Sequence, residues 1–131
     1  MSLLLEGKEP LWLPILSGSM APSLLPGDEL FIDPGMRTPR RGSIAVFYSR
    51  GTFFSHRILF SFKWGKKLYI FEKGDANDSA RLIPAGKMLG TVLKVRREGY
   101  EADLTTEEAV RRSRKLAVRS FLKLLRIRRW T

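Results

Sequence analysis

A serine in a tight loop and a single histidine are the residues of this sequence best suited to nucleophilic chemistry. Ser19 follows Gly18 in a loop, and His56 is the only histidine of the chain. A serine hydroxyl attacks a carbonyl when a base takes its proton and hydrogen-bond donors stabilise the oxyanion. Imidazole exchanges a proton near neutral pH. Taken alone, a Gly-Ser pair is usually only a loop, and a lone histidine is usually an ordinary half-buried strand residue.

The elements that must position these two residues are predicted to be mainly β-strands. Short apolar runs rich in β-branched and aromatic residues are separated by turns that contain Gly or Pro. Ser19 lies in the loop after the first strand, His56 lies within the fourth, and residues 64–67 form a hairpin turn between the fourth and fifth. The predicted strands span residues 11–16, 29–33, 43–48, 53–62, 68–72 and 88–96.

The C-terminal segment, residues 105–131, predicts a basic amphipathic helix from residue 106 to about residue 129. Thr105 is the expected N-cap, and Glu108 completes a capping box. The segment holds nine Lys or Arg and two acidic residues, in a chain whose net charge is +11, so an anionic partner is expected. Its apolar stripe either packs on the β-rich domain (residues 1–104) or a second copy, or lies on a membrane surface. That stripe comprises Val110, Ala117, Phe121, Leu124 and Leu125.

Composition excludes several other kinds of site. The chain has no cysteine and one histidine, which excludes disulfides, thiolate metal sites and multi-histidine metal sites. No cofactor is expected. No run approaches the roughly 18–20 apolar residues that span a bilayer, and the short apolar run at residues 11–16 lacks the features of a secretory signal peptide. The expected location is the cytoplasm of a bacterium or archaeon, or a peripheral membrane surface.

Four segments in order resemble the sequence boxes of signal peptidase I and of the related self-cleaving repressor peptidases. Residues 17–28 resemble the nucleophile box, and residues 41–47 resemble the strand that follows it. Residues 55–58 resemble the general-base box, and residues 73–77 the acidic box. The resemblance covers about residues 11–96. It implies a coiled, partly open antiparallel β assembly that carries the C-terminal helix.

The resemblance also implies a role for each site residue. Ser19 is expected to attack the scissile carbonyl and His56 to act as the general base. Asp75 is expected to orient the imidazole, with Asp78 as the alternative. The backbone N–H of Ser19 and the hydroxyl of Ser17 resemble the oxyanion hole of the family.

The base box places the chain in the Ser-His branch, which resembles the archaeal and endoplasmic-reticulum signal peptidases. Bacterial housekeeping peptidases and repressors have a lysine at the position of His56, and this chain has no lysine between residues 9 and 62. The family has a second acidic residue where this chain has residues 79–81, a departure that leaves the choice of acid open. Asp28 is expected to fix the turn after the serine loop, and Met20 to pack under that loop. The expected supports of the site are Gly18, Met20, Pro22 and Asp28.

The function expected from these features is cleavage of a signal or leader segment from a peptide or preprotein by a soluble serine peptidase. Two alternatives keep the same fold without the chemistry: a regulator or nucleic-acid binder, and an inactive scaffold on a membrane surface. The sequence lacks a helix-turn-helix and an aromatic platform for single strands, so no specific nucleic acid is expected. It fixes no oligomeric state.

Overall fold

The fold is mainly β, as the sequence predicted. A computed structural model describes residues 9–130, with side chains described as far as residue 126. An eight-stranded antiparallel sheet curls into a half-barrel, and one helix packs on it. The strands are β1 (Leu11–Pro14), β2 (Glu29–Asp33), β3 (Ile44–Ser49), β4 (Thr52–Trp64), β5 (Lys67–Lys73), β6 (Arg81–Pro84), β7 (Met88–Arg97) and β8 (Tyr100–Asp103). A 3₁₀ turn, Ala85–Lys87, joins β6 to β7, and the helix α1 spans Glu107–Trp130.

The strands that flank the serine loop, β1 and β2, and the strand that carries His56, β4, belong to one sheet. The strand order is β1-β2-β7-β3-β4-β5-β6, and β8 pairs with β7. Two apolar clusters fill the curled sheet. The larger includes Met20 and Leu24 from the loop between β1 and β2, so this loop is fastened to the core. The smaller includes Phe47 of β3, Ile58 of β4 and Ile70 of β5.

Two strands were not predicted, and both are short. In β6, only Ile83 of four residues is buried, and the strand ends at Pro84. All four residues of β8 are exposed. Neither strand therefore shows the alternation of apolar and polar residues by which half-buried strands are recognised.

The β4–β5 hairpin contains a register shift that determines which side chains reach the site. From Trp64↔Lys67 to Phe60↔Phe71 the pairing is regular, and it then shifts by one residue to Ile58↔Glu72. A β-bulge of this kind places two residues of one strand opposite one residue of the other.

Helix α1 begins one residue later than predicted, because its N-cap is Thr106. The Ala109 N–H donates to Thr106 Oγ1 at 3.1 Å, whereas Thr105 hydrogen-bonds to Asp103. Only part of the predicted apolar stripe is covered: Ala117 is buried, but Val110 and Leu125 are exposed.

Small residues bring the helix close to the sheet. Gly42 is so near that a Cβ there would lie 2.7 Å from the backbone of Ser113 and Arg114. Ala117 and Ser120 are buried on the same side of the helix. Within residues 9–130, no helix combines the length and the apolar character that crossing a bilayer requires.

Candidate active site

The serine loop between β1 and β2 is held from below and from the side. Met20 is fully buried beneath it, in agreement with the sequence prediction. The Ala76 N–H donates to the backbone oxygen of Ser19 at 2.9 Å, and the Asp75 N–H donates to the sulfur of Met20 at 3.3 Å. The loop after β5 therefore fixes the backbone on which the Ser19 hydroxyl is carried.

His56 of β4 lies within hydrogen-bond distance of this serine. Its Nε2 is 3.1 Å from Ser19 Oγ, so the structure brings together the two residues that the sequence paired. The imidazole packs beside the ring of Phe54, with centroids 4.9 Å apart. It is mostly shielded from solvent, with 12% of its side chain exposed.

Glu72 of β5 is the acidic partner of His56. Its Oε2 makes a short contact with His56 Nδ1, and its side chain is 1% exposed. Its other oxygen, Oε1, accepts a hydrogen bond from Arg81 Nε at 3.1 Å. An ionised carboxylate only accepts hydrogen bonds, so in a neutral imidazole facing it Nδ1 is the N–H donor and Nε2 is the acceptor available to the Ser19 hydroxyl. The three side chains form a Ser-His-Glu relay.

The prediction that Asp75 orients the imidazole is wrong in this structure. Asp75 binds Arg57 instead, with 2.8 Å contacts to Nε and Nη2. It also accepts a hydrogen bond from the hydroxyl of Ser23 at 2.7 Å. The alternative, Asp78, is 78% exposed and lies 3.7 Å from Lys123. Neither carboxylate contacts His56.

The bulge in β4 explains why Glu72, and not Asp75, contacts His56. Continued without a shift, the regular register would place Asp75 opposite His56. With the shift, Ile58 pairs with Glu72, and Arg57 pairs with Lys73. Glu72 thus becomes the diagonal neighbour of His56 on the same face of the sheet, within reach of a long side chain. A one-residue slip moves every side chain of a strand to the other face.

The two predicted oxyanion donors lie side by side in the serine loop. The Ser19 N–H donates to Ser17 Oγ at 3.1 Å. Gly18 and Pro22 are exposed, and a Cβ built on Gly18 would meet nothing within 4 Å. The loop therefore leaves open space at Gly18.

Gly74 is the closest point between the loop after β5 and the relay. A Cβ at this position would lie 2.5 Å from the backbone oxygen of Ser19 and 3.0 Å from His56 Nε2. A Cβ there would also lie 2.7 Å from Asn77 Nδ2, so no side chain fits without displacing its neighbours. The sequence alone predicted no role for this glycine.

Asp28 fixes the turn after the serine loop, as predicted. It accepts a hydrogen bond from the Leu25 N–H at 2.8 Å and forms a two-point ion pair with Arg97, at 2.8 and 2.7 Å. The hydrogen bonds from Arg97 hold the pKa of the buried Asp28 carboxyl below its ordinary value. The ionised carboxylate is thereby maintained at the base of the loop.

Lys73 connects helix α1 to the site from the other face of β5. Its Nζ donates to the backbone oxygen of Gly74 at 3.2 Å and to Ser120 Oγ at 3.0 Å. Burial, with a smaller contribution from the nearby Lys123, lowers the pKa of Lys73. The position of the helix is therefore coupled to the segment that touches Ser19 and His56.

An apolar cavity of about 330 Å³ adjoins the serine loop. Its walls come from β1, the start of the serine loop, β2, β3 and β4. They include Leu13, Leu16, Ser17, Val46, Phe53 and Phe54. In the described part of the chain, β1 pairs with β2 alone, so its second edge is open beside the cavity.

The comparisons with known proteins add no relative. No family model matches the sequence, and no curated protein matches it. Within residues 9–130, no three His, Asp or Glu side chains converge as the ligands of a metal ion would. A function is therefore inferred from the geometry of the relay.

Proposed function

We propose that this protein is a serine endopeptidase of the signal peptidase type that cleaves a signal or leader segment by a Ser-His-Glu mechanism. The observation that carries the proposal is the continuous contact from Ser19 through His56 to Glu72. Such a relay, with a buried carboxylate at its end, is the arrangement that activates a serine hydroxyl.

Each relay member has one step in the proposed reaction. Ser19 Oγ attacks the scissile carbonyl carbon, and its proton passes to His56 Nε2. Glu72 stabilises the resulting imidazolium without taking the proton. The imidazolium then protonates the leaving amine as the peptide C–N bond breaks, and a water activated by the same imidazole hydrolyses the acyl-enzyme. General acid-base help of this kind is worth about 10²–10⁴-fold in rate.

Stabilisation of the oxyanion requires the Ser17 hydroxyl to rotate. In the structure, Ser17 Oγ accepts the Ser19 N–H. When a substrate carbonyl enters, Ser17 turns its hydroxyl hydrogen toward the developing oxyanion, and the freed Ser19 N–H donates to the same oxygen. Losing one such donor costs about 2.7–4 kcal/mol of transition-state stabilisation. Ser17→Ala therefore lowers the rate without abolishing it.

The substrate is an extended peptide rather than a folded surface. The open edge of β1 offers backbone hydrogen bonds to an added strand, and this edge leads directly into the serine loop. The apolar cavity beside Ser17 accepts an apolar side chain of that strand. The ordered resemblance of residues 17–28, 41–47, 55–58 and 73–77 to signal peptidase boxes gives the same class of substrate, although the orienting acid is Glu72 rather than Asp75.

Labelling by a fluorophosphonate probe tests the proposal without a known substrate. The wild-type chain should be labelled, and Ser19→Ala and His56→Ala should not. Ser61→Ala is the matched control, because Ser61 is exposed on β4 beyond the bulge. Cleavage of a leader-peptide library, read by mass spectrometry, should be lost in the same two variants. Labelling that persists in Ser19→Ala, or an unlabelled wild type, would reject the peptidase and leave the non-catalytic alternatives.

A further inference from the structure

The outer face of helix α1 is apolar at its centre and is not covered by the described part of the chain. The face that packs on the sheet uses small residues, Ser113, Ala117 and Ser120. Val118 and Leu122, on a different side of the helix, are 48% and 52% exposed. Leu125 is 49% exposed one turn later. Contiguous exposed apolar residues of this kind mark an interaction surface.

Basic residues surround this apolar row. Residues 109–126 contain seven Lys or Arg and no acidic residue. The two acidic residues of the helix lie at its start, where Glu107 and Glu108 pair with Arg111 and Arg112. Five further basic side chains of the helix are exposed, one of which, Lys123, lies 3.7 Å from Asp78. They are Arg114, Lys115, Arg119, Lys123 and Arg126.

The β4–β5 hairpin carries a second apolar and basic site on the helix side of the sheet. Trp64 at its tip is 76% exposed and is surrounded in sequence by Lys63, Lys66 and Lys67. Phe60 and Phe62 precede Trp64 at alternate positions, and alternate residues of a strand share a face. The ring of Phe60 meets the ring of helix residue Phe121, with centroids 5.9 Å apart. This face therefore continues from the helix toward the hairpin tip.

We propose that the helix and the hairpin tip together form a surface that docks on an anionic lipid bilayer. We call it the basic-apolar surface and define it by Trp64, Lys66 and Lys67 with the exposed residues 114–126 of α1. Apolar side chains enter the boundary of the acyl chains, while the flanking cations bind lipid headgroups. Nucleic acid would bind only the basic residues of this surface, because a phosphate backbone offers the exposed Leu and Val side chains no apolar partner. Docking of this kind does not depend on catalysis.

Vesicle co-sedimentation of the full chain tests the proposal. The probes are vesicles of phosphatidylcholine with and without phosphatidylglycerol, and the wild type should pellet only with the anionic ones. Trp64→Ser and Leu122→Ser should each weaken binding at least fivefold. Tyr100→Ser is the matched control, because Tyr100 is 80% exposed on β8. Arg119→Gln should weaken binding about fivefold, since one cation near the surface is worth about that factor.

Tryptophan fluorescence gives an independent reading of insertion. In the variant Trp12→Phe/Trp130→Phe, Trp64 is the only tryptophan left. Its emission should shift to the blue on anionic vesicles and be quenched by brominated lipids. An unshifted Trp64, or apolar variants that bind as the wild type does, would overturn the proposal. So would salt-sensitive binding to duplex DNA that exceeds vesicle binding, which would favour nucleic acid as the partner.

Discussion

Replacing Glu72 by Gln keeps the shape of the side chain but exchanges one carboxylate oxygen for an NH₂ group. Of the two oxygens, Oε1 accepts from Arg81 Nε at 3.1 Å and Oε2 contacts His56 Nδ1. Arginine is only a donor, so the amide oxygen of the substituted side chain must stay on the Arg81 side. The NH₂ group then points at His56 Nδ1, which must accept. The imidazole proton moves to Nε2, where it blocks transfer from Ser19.

The expected fall in kcat of Glu72→Gln has two causes. An amide in place of the carboxylate of a serine peptidase triad lowers kcat by about 10⁴, because the tautomer is wrong and the imidazolium is not stabilised. Arg81 is 49% exposed, so its hold on the amide is screened and worth about 1 kcal/mol. Arg81→Met should therefore recover about fivefold in the Glu72→Gln background, because the amide is then free to turn. Alone, Arg81→Met should cost less than tenfold.

The single histidine makes the tautomer directly measurable. One pair of imidazole ¹⁵N signals should report Nδ1–H in the wild type and Nε2–H in Glu72→Gln, at a pH where the ring is neutral by titration. Fluorophosphonate labelling rates give the matching kinetic result. If Glu72→Gln keeps the Nδ1–H tautomer and labels at the wild-type rate, the role assigned to Glu72 is wrong. If Arg81→Met gives no recovery, Arg81 does not hold the amide in the orientation inferred from donor geometry.

Three further substitutions test the supports of the relay. Gly74→Ala forces a Cβ between the reactive residues and should abolish labelling at a stability cost of about 1–3 kcal/mol, whereas Gly86→Ala, whose Cβ meets nothing, should label normally. Asp28→Asn should cost about 1–3 kcal/mol in urea unfolding at neutral pH. Because the folded-state pKa of Asp28 is lowered from 3.8, that difference should be present above 3.8 and vanish as pH falls through the folded-state pKa. Asp75→Asn leaves buried Arg57 without its ion pair and should lower the free energy of unfolding by about 3–5 kcal/mol. Adding Arg57→Met should recover part of this stability. A full loss of labelling in folded Asp75→Asn would instead favour a direct role for Asp75.

Most of the fold was predictable because its strands are short runs rich in apolar, β-branched and aromatic residues, bounded by turns that contain Gly or Pro. The predicted strand at 29–33 has the observed bounds, and the other five differ at their ends by one or two residues. The helix was predictable from its 3.6-residue periodicity, but its packing was not. The closest contact with the sheet is made by small residues, Phe121 adds a ring contact with Phe60, and the apolar side chains Val118 and Leu122 stay exposed. Periodicity identifies an apolar side of a helix, whereas the closest approach of two backbones depends on where small residues meet.

The contact between Ser19 and His56 was predictable, and the acidic partner of His56 was not, for a reason that lies in strand pairing. Ser19 and His56 were paired because residues 17–28 and 55–58 resemble the nucleophile and general-base boxes of signal peptidases. Choosing between Glu72 and Asp75 required the register of the β4–β5 hairpin across the bulge near Leu59. The sequence offers little sign of this bulge, because the residues around it remain apolar. A buried glutamate at the end of an apolar strand was the available signal, since such a charge needs a partner.

The C-terminal helix packs on the β-rich part of the chain, through Gly42 and Lys73. Removing the helix would expose the face of Gly42 that it touches and would leave Lys73 Nζ without Ser120 Oγ. Lys73 also binds the backbone oxygen of Gly74, which packs against the relay. A 1–104 truncation would therefore disturb the candidate active site together with the basic-apolar surface. Point substitutions on the exposed side of α1 separate the two, because Leu122 and Arg119 lie away from Lys73 and Gly42 in the helix packing.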